Sequence, residues 1–181
     1  MIIILNGITG SGKSTLGRSI AKSLKYNFID LDNYLEISQS KTIALIFEEH
    51  GEEHFRTIER QCLNEVLLIN YNKNLILSLG GGTFKNNANV DLCLSKGIVI
   101  WIDMAIDVLL VRLKDLSSRP LLKNSTNLKE TIQQLLTQRT PNYQKSHIKV
   151  SFDKNYPTKY MAQQLLIAID EYLIKNKLGA L

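Results

Sequence analysis

The nine residues Gly7–Thr15, GITGSGKST, follow the apolar run MIIIL almost at the start of the chain. They match the pattern G-x-x-x-x-G-K-[ST], in which glycines let successive backbone N–H groups turn inward around a phosphate. The helix that follows such a loop directs its positive N-terminal end at the same anion. A plain glycine-rich turn would explain the glycines alone, but not Gly-Lys-Ser at this offset between a strand and a helix. The motif therefore predicts a site for a nucleoside triphosphate.

Individual residues of this loop have distinct chemical uses. The Lys13 ammonium can bridge the β- and γ-phosphates, and the Ser14 hydroxyl can bind Mg²⁺. We therefore expect Lys13 to act in catalysis and Ser14 to bind the metal. The residues expected to bind the nucleotide are Gly10, Ser11, Gly12, Lys13, Ser14 and Thr15.

Five short apolar or β-branched runs alternate with segments of helical periodicity. The predicted strands are residues 1–5, 26–31, 74–79, 97–103 and 147–152, and the predicted helices are 13–24, 51–69, 106–114, 128–145 and 158–174. Continuous apolar strands separated by helices indicate a parallel sheet that is covered on both faces. The pattern predicts a three-layer α/β fold with ligands at the carboxyl ends of the strands. No repeat or linker interrupts it, so we expect residues 1–181 to form a single domain.

Composition narrows the classes of function. The 44% hydrophobic and 22% charged content is typical of a soluble globular protein. No apolar stretch approaches the roughly 18–20 residues that cross a bilayer, and MIIIL lacks the flanks of a signal peptide. The net charge of +5 is dispersed and not interleaved with aromatic residues, which disfavours nucleic-acid binding. We expect a cytoplasmic protein that acts as a monomer without nucleic acid or membrane, although no residue pattern fixes the oligomeric state.

Two carboxylates follow the second predicted strand, in the sequence IDLD. Asp30 and Asp32 are two residues apart, and in an extended segment such residues point to the same side. We therefore expect both to face a cleft at the end of the strand. One carboxylate can hold the water shell of a metal ion while the other accepts a proton from a hydroxyl group. A solvated turn or a helix cap is the alternative use of such acids.

The segment IFEEHGEEHFRTIER predicts a helix that starts near Gly51. An apolar stripe suited to packing runs along it, at Phe55, Ile58, Cys62 and Val66. Arg56 and Glu59 are three residues apart on another flank, close enough to pair. A glutamate in this position can orient an arginine for a bidentate grip on a carboxylate. An exposed ion pair is equally compatible with the spacing.

Glycines and further arginines complete the set of candidate residues. Gly80, Gly81 and Gly82 follow the third strand in LSLGGGTF, and consecutive glycines let a ligand approach the backbone and its N–H donors. Arg119 lies in the polar loop LSSRPLL, from which it can reach over the phosphates during transfer. Arg139, near a helix end in QRTPNY, can supply a second guanidinium for an acidic acceptor.

Together these motifs resemble the shikimate kinase family over nearly the whole chain. The matching segments, in the family's order and close to its spacings, are GITGSGKST, IDLD, IF followed by GEEHFRTIE, LSLGGG, RPLL and R-T-P-N-Y. Many enzymes share the phosphate loop, whereas the combined set is specific. The resemblance implies a P-loop NTPase fold of the nucleoside-monophosphate-kinase type with a five-stranded parallel sheet. It also implies a helical substrate-binding segment around residues 33–61 and a mobile lid around 112–124.

The implied activity is the phosphorylation of the 3-hydroxyl of shikimate by ATP, with Mg²⁺, as a step of aromatic amino acid biosynthesis. By matching motif, Asp32 resembles the acid that binds the ring hydroxyls and serves as base, and Asp30 resembles the acid near the metal. Arg56 and Arg139 resemble the pair that grips the shikimate carboxylate, and Glu59 resembles the support of Arg56. Gly80, Gly81 and Gly82 resemble the turn that contacts the substrate, and Phe47 and Phe55 resemble the aromatic walls of its pocket. Arg119 resembles the lid arginine, while Arg112, and Lys154 in the loop 153–157, resemble parts that flank adenine.

Two other kinds of function remain compatible with a phosphate loop. A gluconate- or nucleotide-type kinase shares the loop and the fold, but it has no need of two arginines that converge on a three-glycine turn. A regulator that binds nucleotide without catalysis does not require every catalytic position to be filled, and here every one is filled.

Overall fold

The structure, a computed structural model, describes residues 1–113, 127–177 and 179. One sheet of five parallel strands is formed by β1 (Ile2–Asn6), β2 (Asn27–Asp30), β3 (Leu75–Ser78), β4 (Ile98–Met104) and β5 (Ile148–Phe152), in the order β2-β3-β1-β4-β5. The five predicted strands are therefore confirmed. At the centre of the sheet, Ile3 of β1 lies beside Ile76 of β3 and Ile98 of β4.

Seven α-helices lie in the described part of the chain. They are α1 (Lys13–Leu24), α2 (Leu31–Gln39), α3 (Ile43–Ile69), α4 (Asn87–Lys96), α5 (Ile106–Arg112), α6 (Leu128–Tyr143) and α7 (Thr158–Lys175). None of the helices among the described residues combines the length and the hydropathy needed to cross a membrane.

Helices cover both faces of the sheet, as the unbroken apolar strands predict. Every residue of β1 and β3 is buried, which requires cover on both sides. On one face α1 comes so close that a Cβ at Gly17 would lie 2.5 Å from the Phe28 ring. On the other face Trp101 of β4 packs against Tyr143 of α6, with ring centroids 5.8 Å apart. The predicted three-layer α/β fold is confirmed.

The helix α2 overlaps the helical segment around residues 33–61 that the resemblance implies, although the residue pattern itself predicts no helix there. It corrects the reasoning about the two aspartates. The extended segment ends at Asp30, so Asp32 lies in the first turn of a helix. The Asp30 carboxylate accepts hydrogen bonds from the backbone N–H groups of Asp32, at 3.1 Å, and Asn33, at 3.4 Å. It thereby caps two of the unpaired donors of the first turn and starts the helix directly after the strand.

The helix α3 begins eight residues earlier than predicted and contains a bend. Thr42 caps its start, and Gly51 interrupts it with φ 79° and ψ 177°, a backbone conformation that residues other than glycine rarely adopt. The bend brings Phe47 from one side of it against Phe55 from the other, with ring centroids 4.7 Å apart. The apolar stripe predicted on this helix is buried, as expected.

His147 precedes β5 and links it to β4. Its Nδ1 accepts a hydrogen bond from the backbone N–H of Val99 at 3.0 Å, and its ring lies beside that of Tyr172. Partial burial lowers the pKa of His147 below the ordinary histidine value. Protonation adds a hydrogen to Nδ1 and removes this acceptor, so the folded protein resists charging of the ring.

We expect the melting temperature to rise with pH across the range just below the ordinary histidine pKa of about 6.5. In that range the unfolded chain binds a proton at His147 and the folded chain does not, so raising the pH favours the folded state. Thermal melts between about pH 5 and 8 should show this slope, reduced in His147→Gln and retained in His54→Gln, which alters an exposed histidine. An undiminished slope in His147→Gln would contradict the assignment.

Candidate active site

The topology of the sheet brings three separate motifs to one edge. The glycine-rich loop follows β1, Asp30 ends β2, and the three-glycine turn comes just after β3. Because these strands are parallel neighbours in the sheet, their carboxyl ends lie side by side. Two adjoining cavities open there. We call the one of about 720 Å³ beside Lys13 the loop cavity and the one of about 480 Å³ beside Arg56 and Arg139 the arginine cavity.

The phosphate loop has the backbone that the motif predicts. Gly10 and Gly12 adopt positive φ angles of 85° and 90°, and α1 starts at Lys13. The Lys13 side chain folds back over the loop, and its Nζ donates to the carbonyl oxygens of Gly7, at 2.8 Å, and Ile8, at 3.0 Å. Of the six residues predicted to bind the nucleotide here, Ser11 is fully buried and the others line the loop cavity.

Both aspartates face the predicted cleft. Asp30 and Asp32 line the loop cavity, and Asp32 also lines the arginine cavity. The helix-cap alternative applies to Asp30 as well, since its Oδ1 accepts the two backbone hydrogen bonds that start α2. The two predicted uses of Asp30, a cap and a cleft-facing carboxylate, therefore coexist.

Polar side chains from other parts of the chain approach the backbone of the three-glycine turn closely. A Cβ at Gly80 would lie 2.6 Å from Asp32 Oδ1, and one at Gly82 would lie 2.5 Å from Arg56 Nη2. A Cβ at Gly81 would collide with the hydroxyl oxygen of Thr9. None of the three glycines has a positive φ, so steric space rather than backbone freedom requires glycine here.

Arg56 is held by two carboxylates of its own helix. Its Nη1 donates to Glu59 Oε2 at 2.8 Å, and its Nη2 donates to Glu52 Oε1 at 3.2 Å. Glu59 is 1% exposed and also accepts from the Thr83 hydroxyl at 2.7 Å. The predicted pairing is confirmed, and the exposed ion pair is excluded because Glu59 is buried. Partial burial opposes ionisation of Glu52, but Lys85 and Arg56 outweigh it and lower its pKa.

Arg139 reaches the same turn from α6. Its side chain is buried, and its Nη1 donates to the Gly81 carbonyl at 2.7 Å. The Tyr143 hydroxyl donates to the same oxygen at 2.8 Å. Burial raises the pKa of this hydroxyl and Arg139 only partly offsets the effect, so Tyr143 remains a donor. Arg56 and Arg139 thus meet at consecutive residues of one turn and line one cavity.

The remaining predicted residues fall into three groups. Phe47 and Phe55 line the arginine cavity as an aromatic pair. Arg112 lines the loop cavity, and its guanidinium donates to Asn155 Oδ1 at 3.0 and 2.8 Å, which ties α5 to the loop 153–157. Lys154 in that loop is exposed and is not among the residues that line either cavity. Arg119 and most of the expected lid lie outside the described residues.

Comparison with known proteins decides the family. The family model described as shikimate kinase matches residues 9–170. The shikimate kinase of Sulfurihydrogenibium sp. (strain YO3AOP1) is 36% identical over 163 residues, which cover 90% of this chain and 95% of that protein. The chain belongs to the shikimate kinase family.

Solved structures of shikimate kinases agree with this membership. The enzyme from Acinetobacter baumannii in complex with shikimate has a TM-score of 0.88 at 33% identity, covering 98% of this chain and 95% of that one. The enzyme from Aquifex aeolicus has a TM-score of 0.78 at 30% identity, covering 99% and 100%. The predicted fold and the predicted activity, phosphorylation of shikimate by ATP, are confirmed, and neither a different metabolite kinase nor an inactive regulator is favoured.

Sequence reasoning missed several residues that build this shikimate kinase site. The Thr83 hydroxyl donates to Glu59, and the Tyr143 hydroxyl donates to the Gly81 carbonyl. The Ser78 hydroxyl lies 3.3 Å from that of Ser14. Ser78 carried a signal, because it is a polar residue at the end of an otherwise apolar strand, and Tyr143 ends the matching segment R-T-P-N-Y. The partners of Thr83 and Tyr143 are 24 and 62 residues distant, so no local pattern could reveal them.

Proposed function

We propose that the nucleotide of this shikimate kinase binds in the loop cavity and shikimate in the arginine cavity. The observation that carries the proposal is the meeting of Arg56, Arg139 and Asp32 on one three-glycine turn beside the phosphate loop. An acid bound by the two guanidinium groups can then present a ring hydroxyl toward the loop. The Acinetobacter relative, of the same fold, was solved in complex with shikimate.

Each end of the acceptor has a matching part of the arginine cavity. Arg56 and Arg139 bind the carboxylate, and Glu59 fixes the guanidinium of Arg56 so that less side-chain entropy is lost on binding. Phe47 and Phe55 contact the apolar faces of the ring. The backbone of Gly80, Gly81 and Gly82 lies against its edge, because glycine alone leaves the space.

Transfer itself needs positioning, charge stabilisation and a proton acceptor. The loop residues Gly10–Thr15 hold the phosphates, and the Lys13 ammonium stabilises negative charge on the transferred group. Asp32 accepts the proton of the 3-hydroxyl as that oxygen bonds to the γ-phosphorus. The bond from the γ-phosphorus to its bridging oxygen breaks, and ADP leaves. Arg119 from the lid adds a further positive charge, while Arg112 and Lys154 flank the adenine; these three assignments rest on the resemblance.

The donor set at the loop cavity fits a magnesium ion. Ser14 and Asp30 supply a hydroxyl and a carboxylate oxygen, the hard ligands that Mg²⁺ prefers, and the backbone hydrogen bonds of Asp30 fall on Oδ1 alone. Mg²⁺ held there, partly through water, would neutralise phosphate charge during transfer.

We further propose that residues 1–181 act as one domain, as a monomer in the cytoplasm, without nucleic acid or membrane. The support is that a single sheet and its helices supply every described residue of the site, so no second chain is needed to complete it.

A coupled assay of ADP release tests the proposed function. The acceptors are shikimate, quinate, gluconate and nucleoside monophosphates, each with ATP and Mg²⁺, and a reaction without acceptor serves as control. We expect rapid ADP release with shikimate and none above the control with gluconate or a nucleoside monophosphate, because neither of these joins a carboxylate to a hydroxylated ring. Quinate, which does, tests whether a related cyclic acid is accepted. Equal release with gluconate or with a nucleotide, or none with shikimate, would overturn the assignment.

A further inference from the structure

Thr9 occupies the junction between the two cavities. Five residues line both of them, namely Thr9, Asp32, Glu36, Gly81 and Leu113. A phosphoryl group that moves from a nucleotide in one cavity to an acceptor in the other passes these residues. The junction is therefore the place where a side chain can act on the group during transfer.

The Thr9 hydroxyl is directed across this junction toward the three-glycine turn. A Cβ at Gly81 would collide with Thr9 Oγ1 and would lie 2.8 Å from the Thr9 backbone nitrogen. The turn cannot shift away easily, since the Gly81 carbonyl is held by Arg139 and Tyr143. The phosphate loop and the turn thus enclose a narrow space with the Thr9 hydroxyl at its edge.

Thr9 also has hydrogen-bonding capacity to spare. Neither its hydroxyl nor its backbone N–H has a hydrogen-bond partner among the residues that the structure describes. The other residues of the junction offer no comparable donor: Asp32 carries a carboxylate, and Glu36 uses Oε1 to accept the backbone N–H of Ile43 at 2.8 Å. Gly81 and Leu113 have no polar side-chain atom. Thr9 is the one side-chain hydroxyl among the five residues.

We propose that Thr9 is a catalytic residue whose hydroxyl donates a hydrogen bond to an oxygen of the phosphoryl group in transit. Donors positioned where charge is redistributed in the transition state accelerate phosphoryl transfer without tightening the binding of substrates. The inference rests on the proposed function, because it requires a phosphoryl group to cross the junction.

The test compares Thr9→Val, which keeps the shape and removes the hydroxyl, with Thr9→Ser, which keeps the hydroxyl and removes the methyl group. We expect Thr9→Val to lower kcat about 10- to 100-fold, because one hydrogen bond to a charged group is lost. Both KM values should stay within about 3-fold of the wild type. Thr9→Ser should recover most of kcat. Thermal melts and ADP binding by calorimetry verify that each variant folds, and Thr9→Ala is a second variant without the hydroxyl.

The outcomes separate this inference from the proposed function. Absence of shikimate-dependent turnover in the wild-type protein would refute the proposed function itself. With an active wild type, a normal kcat in folded Thr9→Val or Thr9→Ala would overturn the role of Thr9. Equal loss in Thr9→Ser and Thr9→Val would also overturn it, because it would assign the effect to packing of the methyl group.

Discussion

Replacement of Lys13 by alanine is expected to abolish turnover. The ammonium is fixed by the carbonyl oxygens of Gly7 and Ile8, so it lies inside the phosphate loop before any ligand arrives. A charge held in place in this way stabilises the transition state without a cost of reorganisation. We expect kcat to fall by at least about 10²- to 10³-fold in the coupled ADP-release assay with saturating shikimate and ATP.

The matched control for this variant is Lys22→Ala, which removes an exposed lysine from the same helix. It should leave kcat within about 2-fold of the wild type, as expected for a surface substitution away from the site. Thermal melts of both variants are needed, because the alanine at position 13 leaves two buried carbonyl oxygens without their donor. A folded Lys13→Ala protein with a near-normal rate would refute the catalytic role of the loop.

Replacement of Arg139 by alanine is expected to raise the KM for shikimate about 10- to 100-fold, because a charge-assisted hydrogen bond to the carboxylate is lost. The KM for ATP should stay nearly constant. The effect should be specific because the Gly81 carbonyl keeps the Tyr143 hydroxyl as a partner, so the turn remains anchored. Arg56→Ala should act in the same direction. Initial rates measured against each substrate in turn distinguish the two KM values.

A change in the ligand completes this experiment. The methyl ester of shikimate lacks the negative charge, so the wild-type enzyme should prefer the acid strongly and Arg139→Ala should prefer it much less. The control is Arg60→Ala, which removes an exposed arginine of α3 and so changes the net charge by the same amount. It should retain the full preference for the acid over the ester. The carboxylate clamp would be refuted if Arg139→Ala discriminated between acid and ester as well as the wild type, or if its ATP KM rose instead.

The local parts of this protein were readable from the sequence because neighbouring residues suffice to determine them. The spacing of the glycines predicts the phosphate loop, and the apolar runs between helical segments predict the five strands. The pairing of Arg56 with Glu59 follows from their positions on one helix. In each case the residues that matter are close in the chain, so the periodicity of the backbone already places them together.

The sequence analysis was wrong where a side chain altered the backbone. The residue pattern treated IDLD as an extended segment, whereas α2 starts at Leu31 because the Asp30 carboxylate caps the helix there. It also started α3 at Gly51, whereas this glycine is a bend inside a longer helix. Single hydrogen bonds and a single positive φ decide these boundaries, and hydrophobic periodicity does not detect them.

By itself the sequence determined that a nucleotide loop, two aspartates near the end of the second strand, a three-glycine turn and two further arginines are present. Only the tertiary structure decided that they form one site. The strand order sets β2, β3 and β1 side by side, and α6 brings Arg139 to Gly81, 58 residues away along the chain. Such contacts follow from the packing of helices against the whole sheet, which depends on burial of apolar surface contributed by every element rather than on any local pattern.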